Sequence, residues 1–135
     1  MRRPRLFIAV LFAITLFGGC GQSQQKKSTI TPPPAGANNR FTIDLQEGFT
    51  NQVVIIAVDG REVYRGAPET NPVLGFSGSF STASTSTKPV LTVTIPSQQF
   101  RWSKQIDLSQ GIAVGISLTK NGPEFQQSPK GFGYD

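Results

Sequence analysis

The chain predicts an all-β fold: a small antiparallel β-sandwich of about seven or eight short strands, preceded by a signal segment and a flexible linker. Three observations carry this. Apolar and polar residues alternate along Phe41–Gln46, Pro89–Ile95, Gln99–Leu108 and Ile112–Thr119, the period of a half-buried strand. Asp59-Gly60 and Asn121-Gly122 are hairpin signals, because a type I′ turn needs positive φ at both central residues. No helical periodicity follows the opening apolar run, so nothing after it asks for an amphipathic helix.

In chain order, Arg2, Arg3 and Arg5 precede an apolar run from Leu6 to Phe17, broken only by Thr15. A bilayer core needs about 20 apolar residues; this run is shorter and has the length of a signal-peptide core. A short buried helix is the alternative, but three arginines at the extreme N-terminus speak against it. Gly18-Gly19-Cys20-Gly21 follows. Together with Leu16 and Phe17 these residues resemble the lipobox of bacterial lipoproteins: a large apolar residue, two small ones, then the cysteine that is acylated. The resemblance covers the first 21 residues alone. It implies cleavage between Gly19 and Cys20, lipid on Cys20, and residues 1–19 as the discarded signal. It also implies a cell-envelope address, at the outer membrane facing the periplasm in a double-membrane host, since Gly21 rather than Asp follows the cysteine. Several acyl chains hold a protein stably where one is marginal.

Residues 20–39 read as the lipidated cysteine and a flexible linker. Gln, Ser, Lys, Thr, Pro, Gly and Asn dominate Gln22–Asn39, too little apolar surface to offset the entropy of ordering. Ser23 and Lys26 have the Ser-x-x-Lys spacing of some acyl-enzymes, but outside a folded helix that spacing carries no chemistry.

Residues 40–135 read as the domain. Phe41–Gln46 is the first strand. Val53–Val58 is continuous and β-branched, as for a strand covered on both faces. It runs into Asp59-Gly60, and Arg61–Arg65 returns as the hairpin partner with Val63 inward and Tyr64 in the opposite, exposed register. Val73–Phe76 is a candidate short strand. Ser77–Thr87, almost all Ser, Thr and small residues around Phe80, reads as a mobile loop. Pro89–Ile95 points Leu91, Val93 and Ile95 inward. Gln99–Leu108 puts Phe100, Trp102, Ile106 and Leu108 on one face, with Lys104 at its rim. Ile112, Val114, Ile116 and Leu118 form the next inward set. A last strand lies near Glu124–Gln127, and Phe132 and Tyr134 flank Gly133 in an aromatic tail. Both immunoglobulin-like and transthyretin-like sandwiches resemble this spacing, although the Cys…Trp…Cys pattern of antibody domains is missing.

Composition narrows the function. The net charge is +5, but three of the thirteen Lys and Arg lie in the signal, leaving ten against eight acids. No basic stripe remains, so nucleic acid is not an expected partner. Lys26 and Lys27 stand near the anchor and could touch anionic lipid. Histidine is absent and the one cysteine is Cys20, which removes His-based triads and the common zinc and copper ligand sets. Gly75-Phe76-Ser77-Gly78-Ser79 falls one glycine short of a nucleophile elbow, with Ser79 where the glycine after the serine should stand, and it opens no expected helix. No phosphate-cradling glycine motif is present. Asp44 and Asp107 fall on expected solvent faces and Asp59 in its turn. The expectation is therefore a non-catalytic domain with no metal and no cofactor, anchored to membrane through Cys20 and binding an envelope protein or, alternatively, an envelope glycan. The candidate binding residues are Tyr64, Trp102, Phe132 and Tyr134, because aromatic platforms stack sugars and anchor partners. Trp102 has core register, and the tail reads equally as a closing strand or a docking segment.

Overall fold

A computed structural model describes residues 28–134. Residues 1–19, read above as a signal, the expected cleavage point after Gly19, Cys20 and the Lys26-Lys27 pair lie outside the described residues. Those residues form two stacked sheets without α-helix, a β-sandwich. The strands are β1 (Thr29–Ile30), β2 (Asn39–Leu45), β3 (Val54–Val58), β4 (Arg61–Gly66), β5 (Gly78–Ser84), β6 (Val90–Ile95), β7 (Phe100–Gln105), β8 (Ala113–Thr119) and β9 (Gly122–Ser128). One sheet has the order β1-β4-β3-β6-β7, the other β5-β2-β8-β9.

Alternation builds the core as expected. Phe41, Ile43 and Leu45 of β2, Val54, Ile56 and Val58 of β3, Leu91, Val93 and Ile95 of β6, and Val114 and Ile116 of β8 form one buried cluster between the sheets. Each such side chain contributes roughly 1.5–3 kcal/mol on leaving water. Asp59 and Gly60 both have positive φ, and β3 and β4 pair around them. Gly48 also has positive φ, and a Cβ there would run into the Leu118 carbonyl, so only glycine lets the β2–β3 loop pass over the end of β8.

Several expectations need correcting. The sandwich is not wholly antiparallel, because β2 runs parallel to β8. Lettered from β2, the sheets read D-A-G-H and C-B-E-F, which is not the immunoglobulin order of A-B-E-D against C-F-G. Ser77–Thr87 is not a loop. Gly78–Ser84 pair with β2 along their whole length, Ser84 to Asn39 through Gly78 to Leu45. Phe80, Thr82 and Ser84 are buried, so the alternation was present but carried by small hydroxyl residues. Val73–Phe76 form no strand. Asn71 and Phe76 bridge a turn, and Val73 stands 85% exposed at its tip. Within the segment read as linker, Thr29 and Ile30 pair with Arg65 and Tyr64, and the Thr31 amide donates to the Val63 carbonyl. Ile112, expected inward, is exposed at the entrance to β8.

Candidate functional site

The candidate aromatics are placed by different elements and do not converge. Tyr64 is buried, at 5% exposure, not on an exposed face. A β-bulge is the cause. Ile56 pairs with Tyr64, but Ala57 pairs with Glu62, so Val63 is an extra residue. One inserted residue turns every later side chain to the other face. Tyr64 therefore points inward with Ile56, stacks on Phe80 with ring centroids 4.9 Å apart, and meets the Ser28 hydroxyl at 3.2 Å.

Trp102 has the inward register expected, opposite Val93, but β7 is an edge strand and the indole is only half-buried. It stacks on Phe125 of β9 at 4.1 Å, and the Lys104 ammonium lies 5.8 Å from the same ring. The two open sides of the sandwich are thus each closed by one aromatic pair joining the sheets: Tyr64–Phe80 on one side, Trp102–Phe125 on the other.

Phe132 and Tyr134 lie on the tail, both half-buried. The tail turns after β9 at Gly131, which has positive φ, and brings Tyr134 back onto β2. Tyr134 packs against Phe76 at 4.3 Å. Its hydroxyl donates to Asp44 Oδ2 at 3.0 Å and accepts from Gln46 Nε2 at 3.1 Å. Ser79 Oγ donates to Asp44 Oδ1 at 2.6 Å. Asp44 is consequently 6% exposed, not solvent-facing: the expected outer face is correct, but Tyr134 covers it. Beside this strap lies a polar groove of about 380 Å3 lined by Gln46, Glu47, Ser117, Glu124, Gln126 and Tyr134.

Burial pushes the Tyr134 hydroxyl up to about 12, the Asp44 carboxylate adding to the rise and the Gln46 hydrogen bond opposing it. An unfolded tyrosine ionises near 10. The group's contribution to stability is therefore fully present below pH about 10 and is lost as pH rises toward 12. The chain has two tyrosines, so in a Tyr64→Phe variant the remaining phenolate absorbance should appear near pH 12. Ionisation near pH 10, as in an unfolded chain, would mean that the strap does not hold Tyr134 on Asp44.

Sequence reasoning missed what the loops assemble. The β2–β3, β4–β5, β6–β7 and β8–β9 connections gather at one end of the sandwich, where the chain also enters β1. There a cavity of about 470 Å3 opens among Ile95, Gln98, Phe100, Leu118, Lys120 and Pro123. Nothing in the alternation of any single strand signals this cavity, because its walls come from three connections, β2–β3, β6–β7 and β8–β9.

The carboxylates mostly serve the fold. Asp59 accepts from the Val90 amide at 2.9 Å and Ser84 Oγ at 2.6 Å. Asp107 caps its own turn, and the Ser109 hydroxyl first, then the Ser109 amide, hold it below the ordinary carboxylate range, with Lys88 at 3.6 Å. Glu62 is lowered chiefly by its hydrogen bond to Arg65. Among the described residues no three His, Cys, Asp or Glu side chains converge as metal ligands, and no helix is long and apolar enough to cross a membrane.

No family model, curated protein or solved structure matches the chain.

Proposed function

We propose that this is a lipid-anchored cell-envelope protein whose β-sandwich is a non-catalytic binding or structural domain. The observation that carries the reading is Arg2–Cys20: a cationic start, an apolar run of signal length, and Gly18-Gly19 before the only cysteine. The carboxylate geometry supports the non-catalytic part, since Asp44, Asp59 and Asp107 are all held by hydrogen bonds within the domain. A general acid or base needs a proton-transfer partner in reach of substrate. The glycan alternative draws less support: Tyr64 is in the core, Ser77–Thr87 is largely strand, and Trp102 is partly covered by Phe125.

The anchor is shorter than its composition suggests. Only Gly21–Lys27 separate Cys20 from Ser28, where the described chain meets Tyr64. Seven residues span at most about 25 Å, so the domain works close to the bilayer surface. Anchoring of that kind raises local concentration, and a partner in the same envelope needs only modest affinity.

The Cys20→Ser variant tests the reading. Wild-type protein should carry an acyl mass on Cys20 and partition into the detergent phase, and the variant should move to the aqueous phase. An unmodified Cys20 in the wild type sinks the anchor.

A further inference from the structure

We propose that the loop end of the sandwich carrying Val53, Val73 and Leu74 rests directly on the lipid surface, as a second, non-covalent membrane contact. The proposal rests on the anchor reading above.

The register of the strands defines that end. Val54 pairs with Gly66, Leu45 with Gly78 and Ile116, Ile95 with Phe100 and Thr119 with Gly122. The connections after β2, β4, β6 and β8 therefore all emerge there. Among the large apolar residues left exposed, Val73 at 85%, Val53 at 44% and Leu74 at 41% belong to these connections. Ile30, also exposed, lies on the two-residue edge strand β1 beside them. Val73 sits at the tip of a turn held rigid by the Asn71 side chain, whose Oδ1 accepts from the Val73 amide at 2.9 Å and the Leu74 amide at 3.3 Å. A fixed turn that presents two adjacent aliphatic side chains to water is costly unless something covers them.

The covering surface follows from where the chain enters. Thr29 pairs with Arg65, one residue from the end of β4, so Ser28 lies at this same end. From there Cys20 is seven intervening residues away, at most about 25 Å of extended chain. The bilayer holding Cys20 is thus within reach of this end with the tether slack, and within reach of the opposite one only with the tether drawn out along the whole domain, since a seven-residue strand is itself about 23 Å long. Exposed aliphatic groups at a membrane-facing end partition into the headgroup boundary. Glu47 lies on the β2–β3 connection, Glu69 on β4–β5 and Lys120 on the β8–β9 turn, so this end carries no basic cluster, the contact is apolar rather than electrostatic, and zwitterionic lipid suffices. The outer face of β3 and β6 and the Asp59 end are left facing away, while the Tyr134 strap borders the Leu74 turn.

The test uses the full lipidated chain in vesicles of brominated phosphatidylcholine. Trp102 is the only tryptophan, so a Trp102→Phe background reports a single introduced indole. Val73→Trp, Leu74→Trp and, at the opposite end, Ile112→Trp each replace an exposed residue, and circular dichroism checks their fold. Quenching at 73 and 74 should exceed that at 112 by roughly twofold or more if the aliphatic turn enters the interface. Equal quenching at both ends, with the acyl mass present on Cys20, overturns the proposal while leaving the anchor intact. An unmodified Cys20 overturns both.

Discussion

Tyr64→Ala should destabilise the domain by about 3–5 kcal/mol, the range for removing a large buried aromatic side chain. The ring is almost wholly enclosed and stacks on Phe80 across the two sheets. Its loss opens a cavity at one side of the sandwich and removes the ring against which Ser28 and β1 settle. Tyr64→Phe keeps the ring and forfeits one hydroxyl contact, so its cost should be about 1 kcal/mol or less. Trp102→Ala, although it deletes a larger side chain, should cost less than Tyr64→Ala, because the indole is only half-buried on an edge strand. Urea unfolding followed by circular dichroism gives all three values. A Trp102→Ala penalty equal to or above that of Tyr64→Ala would contradict the account of how the two sides are closed.

That ordering could not have been read from the sequence, and the reason is a single residue. The hairpin from Val54 to Gly66 was legible throughout: a β-branched run, a turn pair with positive φ at both positions, and a return strand. Strict alternation then sends Val63 in and Tyr64 out. The bulge between Ile56 and Ala57 sends both inward, and nothing in Arg61-Glu62-Val63-Tyr64-Arg65 announces it. The same limit applied to β5. Its inward residues are Phe80, Thr82 and Ser84, and hydroxyl side chains at buried positions read as polar, so a strand paired over seven residues looked like a loop. The parallel partnership of β2 with β8 is a long-range choice between strands of near-identical pattern. Where alternation used large aliphatic residues, as in β2, β6 and β8, strand and facing were both legible.

The candidate site was less legible because it belongs to no strand. Asp44 was placed on the right face, but its burial depends on Tyr134, ninety residues away in sequence, brought back by a turn at Gly131. The exposed aliphatic turn at Val73 and the entry of the chain at Ser28 come to one end only through the order of the strands. If that end faces lipid, the cavity near Phe100 opens toward the membrane, and a protein partner meets the sheet faces or the far end. Partner binding should then survive substitutions around Phe100.

Asp59→Ala should cost about 3 kcal/mol, the largest effect expected from any exposed position, and the argument runs through three elements. The residue has φ 52, a left-handed conformation in which alanine is strained by about 1 kcal/mol relative to Asp or Asn. Its carboxylate also accepts from the Val90 amide and the Ser84 hydroxyl, while its own amide donates to the Val90 carbonyl. A hydrogen bond to a charged group contributes roughly 1.5–3 kcal/mol, less where water reaches it. Ser84 closes β5 in one sheet and Val90 opens β6 in the other, so one side chain pins the β3–β4 turn to the crossover between sheets. For a domain of this size the loss corresponds to a drop in Tm of roughly 10–20 °C. Asp59→Asn tolerates the same backbone and keeps an acceptor for the Val90 amide. Its Nδ2 can donate to Ser84 Oγ, which reverses its role, since a hydroxyl serves as donor or acceptor. It should therefore cost about 1 kcal/mol. A small loss for alanine would leave the crossover held by packing and the backbone bond from residue 59 to Val90, and equal losses for both would show that the charge, not the geometry, makes the staple.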